Sequence, residues 1–249
     1  MDNFRNPQKV SGLISFWNFQ GTDQQFLKAQ GYGEYMLEPM NGDIKRSKEG
    51  VFGPSGLLLE DKGWYRLPRK RCPLLNRCGY SSELTVIAWI KRYQQKIETC
   101  EAIAGMWDET REKRQYCLFL NINITGGSKN SVSGHVSSIG GPTQGRKYCE
   151  DVSVGATPVP YDKWQTVAFT YDCRFAKSYL NGKLDEFDKK NPYLYEGKLF
   201  DDQLLDGSDF TVGAVNRSGE MGNWFRGILG GLAVYDRALS EKEINMISY

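Results

Sequence analysis

The fold is decided by the stretch that closes the chain, Trp224-Phe-Arg-Gly-Ile-Leu-Gly-Gly-Leu-Ala-Val-Tyr-Asp-Arg-Ala-Leu-Ser-Glu-Lys-Glu-Ile244. It predicts a last strand, a turn and a short helix. Ile228, Leu232 and Val234 share one parity, so one face of this strand can be buried. A last strand of this kind needs a sheet to join.

The helix after this strand has its own start signal. Ser240, followed by Glu243 three residues later, forms a capping box, which predicts a helix of about two turns. At the other end of the chain, residues 12–19 alternate in the manner of a strand, with apolar side chains on both faces. We expect this first strand to join the same sheet, so that the two ends of the chain lie close together.

Composition excludes several classes of protein. The chain has 249 residues, and 32 basic against 30 acidic side chains leave a net charge of +2. This near balance gives no reason to expect nucleic-acid binding, and no apolar run is long enough for a transmembrane helix. The N-terminus has no apolar signal segment. We therefore expect a cytoplasmic protein, or an extracellular or periplasmic one whose signal peptide has been removed. The oligomeric state stays open.

Short strands follow one another along nearly the whole chain. Glycine is frequent, at 27 residues, and aromatic residues make up 13%, which suits strands joined by tight turns. We predict one all-β domain over residues 1–249, built as a two-sheet antiparallel sandwich with a short C-terminal helix. Gly56–Glu60 and Trp64–Pro68 are predicted to form a hairpin, and 140–160 to form a long functional loop.

The cysteines are too few for a disulfide scaffold at this length. Their pairing stays open, although Cys72 and Cys78 are close enough in sequence to close a small loop. The full set is Cys72, Cys78, Cys100, Cys117, Cys149 and Cys173. With a single histidine and no Cys-x-x-Cys motif, we expect no zinc site and no other cofactor.

Several segments, in this order, resemble a laminin-G-like jelly roll of the concanavalin A-like lectin/glucanase superfamily. They are Gly12-Leu-Ile-Ser-Phe-Trp-Asn-Phe19, Leu84-Thr-Val-Ile-Ala-Trp-Ile90, Trp164-Gln-Thr-Val-Ala-Phe-Thr-Tyr171, Tyr179-Leu-Asn-Gly182, Phe210-Thr-Val-Gly213 and the closing stretch. The resemblance implies a jelly-roll sandwich. It says less about function, because the superfamily includes lectins, glycan-binding modules, glycosidases, lyases and adhesion domains.

Two departures from the family pattern matter. Members often carry an acidic pair near the start of the closing strand, and some use it to hold calcium, whereas this chain has Gly230 and Gly231. A calcium site on this strand is therefore disfavoured. The glucanase branch carries Glu-x-Asp-x-x-Glu, and the nearest match, which begins at Glu186 and Asp188, lacks the third carboxylate. We predict no glucanase activity.

Strand parity suggests where a ligand binds. From Tyr116 to Ile124 the even-numbered positions form one apolar face, which leaves Asn121 on the other face, and Val132 and Val136 similarly leave His135 pointing outward. An outer face with Asn121, His135 and an aromatic ring suits a sugar, because amide and imidazole groups bond hydroxyls and a ring stacks on a pyranose. Trp107 and Trp89 are the candidate rings.

Charged residues of the flanking loops extend this candidate site. Arg146 and Tyr148 lie in the long loop, and Arg114 ends the charged loop that begins at Asp108. An arginine holds a carboxylate or a sulfate with two parallel hydrogen bonds. Structural interpretations also stand: a lone histidine in a strand is often a packing residue, the tryptophans can belong to the core, and 108–114 can be a solvated hairpin tip.

Three functions are consistent with these features. A carbohydrate-binding module is favoured, because no catalytic carboxylate set is recognised. A glycoside hydrolase or a polysaccharide lyase is the alternative; a lyase would use His135 or Tyr148 as base, with Arg146 or Arg114 neutralising a uronate. A protein-interaction domain is the third.

Overall fold

The structure is a computed structural model that describes residues 6–80, 82–96, 99–122, 130–201 and 206–249. The described residues are almost entirely in strands and loops. In chain order the strands are β1 (Leu13–Trp17), β2 (Glu38–Pro39), β3 (Arg46–Ser47), β4 (Gly56–Leu59), β5 (Tyr65–Leu67), β6 (Leu84–Arg92), β7 (Glu101–Met106), β8 (Tyr116–Leu120), β9 (Val132–Val136), β10 (Val152–Val154), β11 (Trp164–Tyr171), β12 (Phe175–Leu180), β13 (Lys183–Leu184), β14 (Tyr193–Leu194), β15 (Phe210–Val212), β16 (Val215–Arg217), β17 (Glu220–Gly222) and β18 (Gly227–Tyr235).

Helices are few and short. The α-helices are α1 (Asp23–Phe26) and α2 (Glu241–Ile247), and single 3-10 turns occur at Pro7–Lys9, Arg69–Arg71 and Pro73–Leu75. Within the described ranges, no helix has the length and apolar character needed to cross a membrane.

Two antiparallel sheets pack face to face around one core. The first sheet has the order β13-β12-β11-β6-β18-β4-β3, with β1 also paired to β18 and β14 to β12; the second has the order β10-β9-β8-β7-β15-β5-β2. The main apolar cluster draws Val86 and Leu232 from the first sheet and Leu118 and Phe210 from the second. The predicted all-β, two-sheet antiparallel jelly-roll sandwich is therefore confirmed.

The closing strand β18 lies in the middle of the first sheet. It pairs with β1, where Phe16 faces Ala233, so the expected neighbourhood of the two chain ends is confirmed. Its pairing with β6 is interrupted by a bulge between Leu229 and Gly231. Because a bulge shifts the alternation by one residue, Leu229 rather than Ile228 joins the main core with the later apolar residues.

Helix α2 covers the outer face of this sheet. The capping box is confirmed: Ser240 Oγ accepts from the Glu243 N–H at 3.3 Å, and Glu243 Oε2 accepts from the Ser240 N–H at 2.9 Å. Ile244 and Ile247 pack with Trp89, whose Nε1 donates to the carbonyl of Ile247 at 2.9 Å. Trp89 is completely buried there, on the outer face of the first sheet, whereas His135 is on the second sheet.

The hairpin predicted for Gly56–Glu60 and Trp64–Pro68 is wrong. Strand β4 pairs with β3 and β18 in the first sheet, whereas β5 pairs with β2 and β15 in the second. Asp61 and Lys62 both have positive φ, at 51° and 61°, and the turn that they form carries the chain across the core from one sheet to the other. Apolar residues of both strands still reach the same core, which is why their alternation resembled a hairpin.

Two further details of the second sheet differ from the sequence expectation. Strand β8 ends at Leu120, because Asn121 has a positive φ of 60°; of the strand predicted to run to Ile124, residues 123 and 124 lie outside the described residues. The long loop over 140–160 contains β10, which pairs with β9 and places Val152 opposite His135. These features build the outer face described next.

Candidate functional site

The outer face of the second sheet carries a row of small side chains around a single histidine. On β9, His135 pairs with Cys117 of β8, which in turn pairs with Gly105 of β7. Because residues of one face recur at every second position, Phe119 lies on the same face as Cys117 and points away from the core. The predicted outward direction of His135 is therefore correct, but its ring is buried, with only 3% exposed.

Three rings meet on this face. The His135 ring lies 5.0 Å from the Trp107 ring and 5.1 Å from the Phe119 ring, centroid to centroid, and Trp107 and Phe119 are 6.0 Å apart. Their planes are tilted or perpendicular, which aromatic rings prefer over direct stacking. Trp107 follows β7 directly, so the sheet itself positions the cluster.

A cavity opens beside these rings, with a volume of about 170 Å³. The sheet supplies its floor, and three loops supply its walls. The residues that line it are Cys100, Trp107, Glu109, Arg114, Phe119, Ile122, His135, Tyr148, Cys149, Arg217 and Asn223. Strands and loops distant in sequence therefore build one concave site.

The charged loop between β7 and β8 folds back onto the sheet. Asp108 is buried and holds the Arg111 guanidinium at 2.7 Å, and the Glu109 N–H donates to the carbonyl of Asn216 at 2.8 Å. Arg114 is also buried, and its Nη1 donates to the carbonyl of Gly140 at 3.1 Å. Because Asp108 and Arg114 are buried at its two ends, only the middle of this loop can be a solvated hairpin tip.

The hairpin β16–β17 forms the opposite wall. Its turn uses Ser218 and Gly219, both with positive φ, and this conformation matches the twist of paired strands. Arg217 Nη1 donates to Asn223 Oδ1 at 2.7 Å, and Asn223 Nδ2 donates to Glu109 Oε1 at 3.4 Å. These bonds join the hairpin to the charged loop across the cavity.

His135 retains unused hydrogen-bonding capacity. Neither ring nitrogen has a hydrogen-bond partner among the described residues, and Nδ1 is fully buried. On the same strand face, Ser133 Oγ is also buried and has no hydrogen-bond partner among the described residues. Burial and, secondarily, the nearby Arg114 charge lower the pKa of His135 to about 3. The imidazole is consequently neutral around pH 7 and presents one donor and one acceptor.

Of the predicted site residues, the structure brings together His135, Trp107, Arg114 and Tyr148, the last of these 39% exposed at the mouth of the cavity. Asn121 lies elsewhere.

The side chain of Asn121 is completely buried and stabilises the end of β8. Its Nδ2 donates to the carbonyl of Thr99 at 2.7 Å, and its Oδ1 accepts from the Asn130 N–H at 3.1 Å. Arg146 also does not line the cavity; its exposed guanidinium lies 3.7 Å from the Glu150 carboxylate. We remove both residues, together with Trp89, from the candidate site.

Sequence reasoning missed Glu109, Asn223, Cys149 and Ile122 as lining residues. Ile122 was placed on the core face by alternation, but it lies with Phe119 on the outer face, because the positive φ of Asn121 breaks the strand. The other three come from loops whose approach depends on long-range contacts. No disulfide joins any of the six cysteines, all of which lie in the described residues.

Gly230 and Gly231 have a packing role in the first sheet. A Cβ on Gly230 would lie 2.7 Å from Val51, and one on Gly231 would lie 2.5 Å from Phe52. Acidic side chains would therefore need the neighbouring Val51 and Phe52 side chains to move. Within the described ranges, no group of three or more potential metal ligands is assembled. The absence of a cofactor stays a prediction.

A family model gives the broadest comparison. The Laminin G 3 model, described as concanavalin A-like lectin/glucanases superfamily, matches residues 71–245. No curated protein matches the chain.

Solved structures share the fold at low identity. Domain 4 of AbnA, a GH43 extracellular arabinanase from Geobacillus stearothermophilus in complex with arabinotriose, is 16% identical, covers 95% of this chain and 98% of its own, and gives a TM-score of 0.62. The botulinum neurotoxin serotype G binding domain is 10% identical over 94% of this chain and 50% of its own, with a TM-score of 0.60. The CBM40 of the Ruminococcus gnavus IT-sialidase is 15% identical, covers 78% of this chain and 96% of its own, and gives a TM-score of 0.53. At these identities the likeness shows the fold alone.

Proposed function

We propose that this chain, which belongs to the concanavalin A-like lectin/glucanases superfamily, is a carbohydrate-binding module whose site is the cavity on the second sheet. The observation that carries the proposal is the buried His135 ring, which lies against Trp107 and Phe119 with no hydrogen-bond partner in the described part of the chain. A sugar hydroxyl supplies the missing partner, and the aromatic rings accept the apolar face of a pyranose.

The unused imidazole gives this proposal an energetic basis. A buried polar atom without a partner costs on the order of 1–3 kcal/mol, so a ligand that bonds His135 recovers part of this free energy. Because the ring is neutral, it offers both a donor and an acceptor, as a sugar hydroxyl does. The interaction is therefore available at neutral pH with no change of protonation.

The size of the cavity limits how much of a glycan it holds. Its volume of about 170 Å³ is well below the about 300–1,000 Å³ typical of sites for drug-sized ligands. One sugar ring, with its substituents, is the unit that fits this space. We infer that the module recognises a single residue of an oligosaccharide or polysaccharide.

Two of the similar structures support a sugar ligand in general terms. The arabinanase domain was solved in complex with arabinotriose, and the CBM40 belongs to a sialidase. Neither identifies the ligand of this chain.

Binding is preferred to hydrolysis because of the acidic groups at the site. Most glycoside hydrolases use a pair of carboxylates, whereas Glu109 is the carboxylate that lines this cavity in the described residues. Glu109 Oε1 already accepts from Trp107 Nε1 at 3.3 Å. A histidine with a pKa of about 3 is also a weak base at neutral pH, which disfavours the lyase alternative.

The test is a glycan array followed by calorimetry on each glycan that binds. Tyr148→Ala removes a partly exposed ring at the cavity mouth, and Tyr32→Ala removes an 85% exposed ring elsewhere as the matched control. We expect Tyr148→Ala to weaken binding about tenfold, equivalent to about 1.4 kcal/mol, and Tyr32→Ala to leave it unchanged. An array without any bound glycan refutes the proposal, and a specific protein partner would then favour the interaction-domain alternative.

A further inference from the structure

We propose that the sugar bound in this cavity carries an anionic group, a carboxylate or a sulfate, which is held between Arg114 and Arg217. This inference rests on the proposed function and narrows its ligand class. It follows from the charges that line the cavity and from the partners that those charges lack.

Arg114 lies at the base of the site with most of its donors unused. Its Nη1 donates to the carbonyl of Gly140 at 3.1 Å, and no carboxylate of the described residues lies within 4.0 Å of its guanidinium. The guanidinium carbon is 6.0 Å from the centre of the Trp107 ring. An arginine has five N–H donors in a rigid fork, so the group retains the geometry to hold a planar oxyanion.

Arg217 extends from the opposite wall in a similar state. Its described side-chain hydrogen bond goes to the neutral amide of Asn223 at 2.7 Å, and no described carboxylate lies within salt-bridge distance. Other arginines of the chain differ. Arg46, Arg92 and Arg237 each face a carboxylate at 2.6–2.7 Å.

The charges that line the cavity do not cancel. Two guanidinium groups and the Glu109 carboxylate leave one positive charge, whereas the chain as a whole is nearly balanced, with 32 basic and 30 acidic side chains. Glu109 is directed to other partners: it accepts from Trp107 Nε1 at 3.3 Å and from Asn223 Nδ2 at 3.4 Å. The positive charge is thus a local property of the cavity.

The charge of Arg114 also acts on neighbouring titratable groups. Arg114 adds to burial in lowering the pKa of His135, and it opposes the rise in the pKa of the Cys149 thiol that burial causes. A positive charge in a partly buried site attracts an anion more strongly than the same charge in bulk water. Charge-assisted, bidentate bonds from arginine to a carboxylate or a sulfate are also stronger than bonds to neutral hydroxyls.

Lys147 extends the positive region to the mouth of the cavity. Its ammonium lies 5.2 Å from the centre of the Tyr148 ring, which is itself part of the lining. An acidic sugar that approaches the mouth therefore meets a cation before it reaches the two arginines. Attraction of this kind weakens as salt screens it.

The experiment uses an array that carries oligosaccharides ending in uronic acid, in sialic acid, in a sulfated sugar and in neutral sugars. We expect signal from acidic glycans and little from neutral ones. Calorimetry then compares each bound glycan with its uncharged counterpart, the methyl ester of a carboxylate or the desulfated form of a sulfate. We expect the charged form to bind at least about tenfold tighter, with the difference shrinking at high salt.

Arginine variants assign the effect to the site. Arg217→Gln is expected to lower affinity for the acidic glycan about tenfold and to lower affinity for the uncharged counterpart by a clearly smaller factor. Arg174→Gln, at an exposed arginine beside β12 that lies 3.3 Å from Glu196, is the matched control. Thermal unfolding of both variants establishes that they remain folded.

The outcomes separate this inference from the proposed function. Selective binding of carboxylated or of sulfated glycans supports the inference and states which anion is bound. Equal binding of charged and uncharged partners overturns the inference while the carbohydrate-binding function stands. An array with no bound glycan overturns both.

Discussion

Replacing His135 with glutamine should make the protein less sensitive to acid, by an amount that the burial of the ring determines. The pKa of His135 is lowered from 6.5 to about 3, chiefly because burial disfavours the imidazolium. In the unfolded chain the same group binds its proton near pH 6.5. The stability contributed by this group is therefore fully present above pH 6.5 and is lost as the pH falls toward 3.

The magnitude follows from the interval between these two pKa values. About pH 4.5 lies two pH units below the pKa of the unfolded histidine, which is therefore protonated there, whereas the native histidine is still neutral. Each pH unit of this interval lowers the free energy of unfolding by about 1.4 kcal/mol. The native state should therefore lose about 3 kcal/mol relative to about pH 8 through this group alone. Glutamine has a similar size and does not titrate, so His135→Gln should lack this part of the loss.

The assay is urea unfolding of the original protein and of the variant at both pH values. Other groups titrate equally in the two proteins, so the difference between the two acid losses isolates His135. We expect His135→Gln to lose about 3 kcal/mol less between about pH 8 and about pH 4.5. Equal losses would refute the burial of a neutral histidine. Nuclear magnetic resonance titration of the native protein gives an independent check, because the chain has a single histidine.

Further predictions concern the fold and the ligand. Gly231→Ala should destabilise the protein by about 1–3 kcal/mol, since its Cβ would lie 2.5 Å from the Phe52 ring; Gly141→Ala, whose Cβ would lie 3.6 Å from the Glu112 side chain, is the control in thermal unfolding. Ser240→Ala should cost about 1 kcal/mol, because the N-terminus of α2 loses the acceptor for the Glu243 N–H, and the same scans measure this cost. As a single domain, the chain should unfold in one transition by fluorescence and by circular dichroism, whereas separate midpoints would contradict the one-domain expectation. Chelation with EDTA should leave glycan affinity unchanged in calorimetry, whereas a loss restored by Ca²⁺ would establish the calcium site that we disfavour. Affinity for the glycan should also stay constant between about pH 5 and about pH 8, because the His135 imidazole remains neutral there; a transition near pH 6.5 would contradict this.

Local patterns in the sequence were sufficient for the sandwich and for its closing elements. The alternation of β1 and of the later part of β18 predicted strands that join one sheet, and the capping box at Ser240 predicted the start of α2, because both signals act between near neighbours in the chain. The errors have equally local causes that alternation does not reveal. A bulge moved the core position from Ile228 to Leu229, and the positive φ of Asn121 moved Ile122 to the outer face.

The candidate site was only partly accessible from the sequence. His135 was found because strand parity defines which face a side chain occupies, and Trp107 was one of two candidate rings for that face, the other being Trp89. Glu109 and Asn223 were not found, since they meet only when the β7–β8 loop and the β16–β17 hairpin are joined by hydrogen bonds between residues far apart in the chain. Contacts of this kind depend on the packed fold, and the spacing of residues in the sequence does not predict them.

The most direct test of the binding site uses the single histidine as a reporter. His135 lines the cavity, so its imidazole signals in a nuclear magnetic resonance spectrum of untagged protein are unambiguous. A glycan identified on the array should shift these signals in a saturable way, with the dissociation constant that calorimetry gives for the same glycan. A glycan that binds by calorimetry and leaves the His135 signals unmoved at saturation would place the binding site elsewhere and contradict the account.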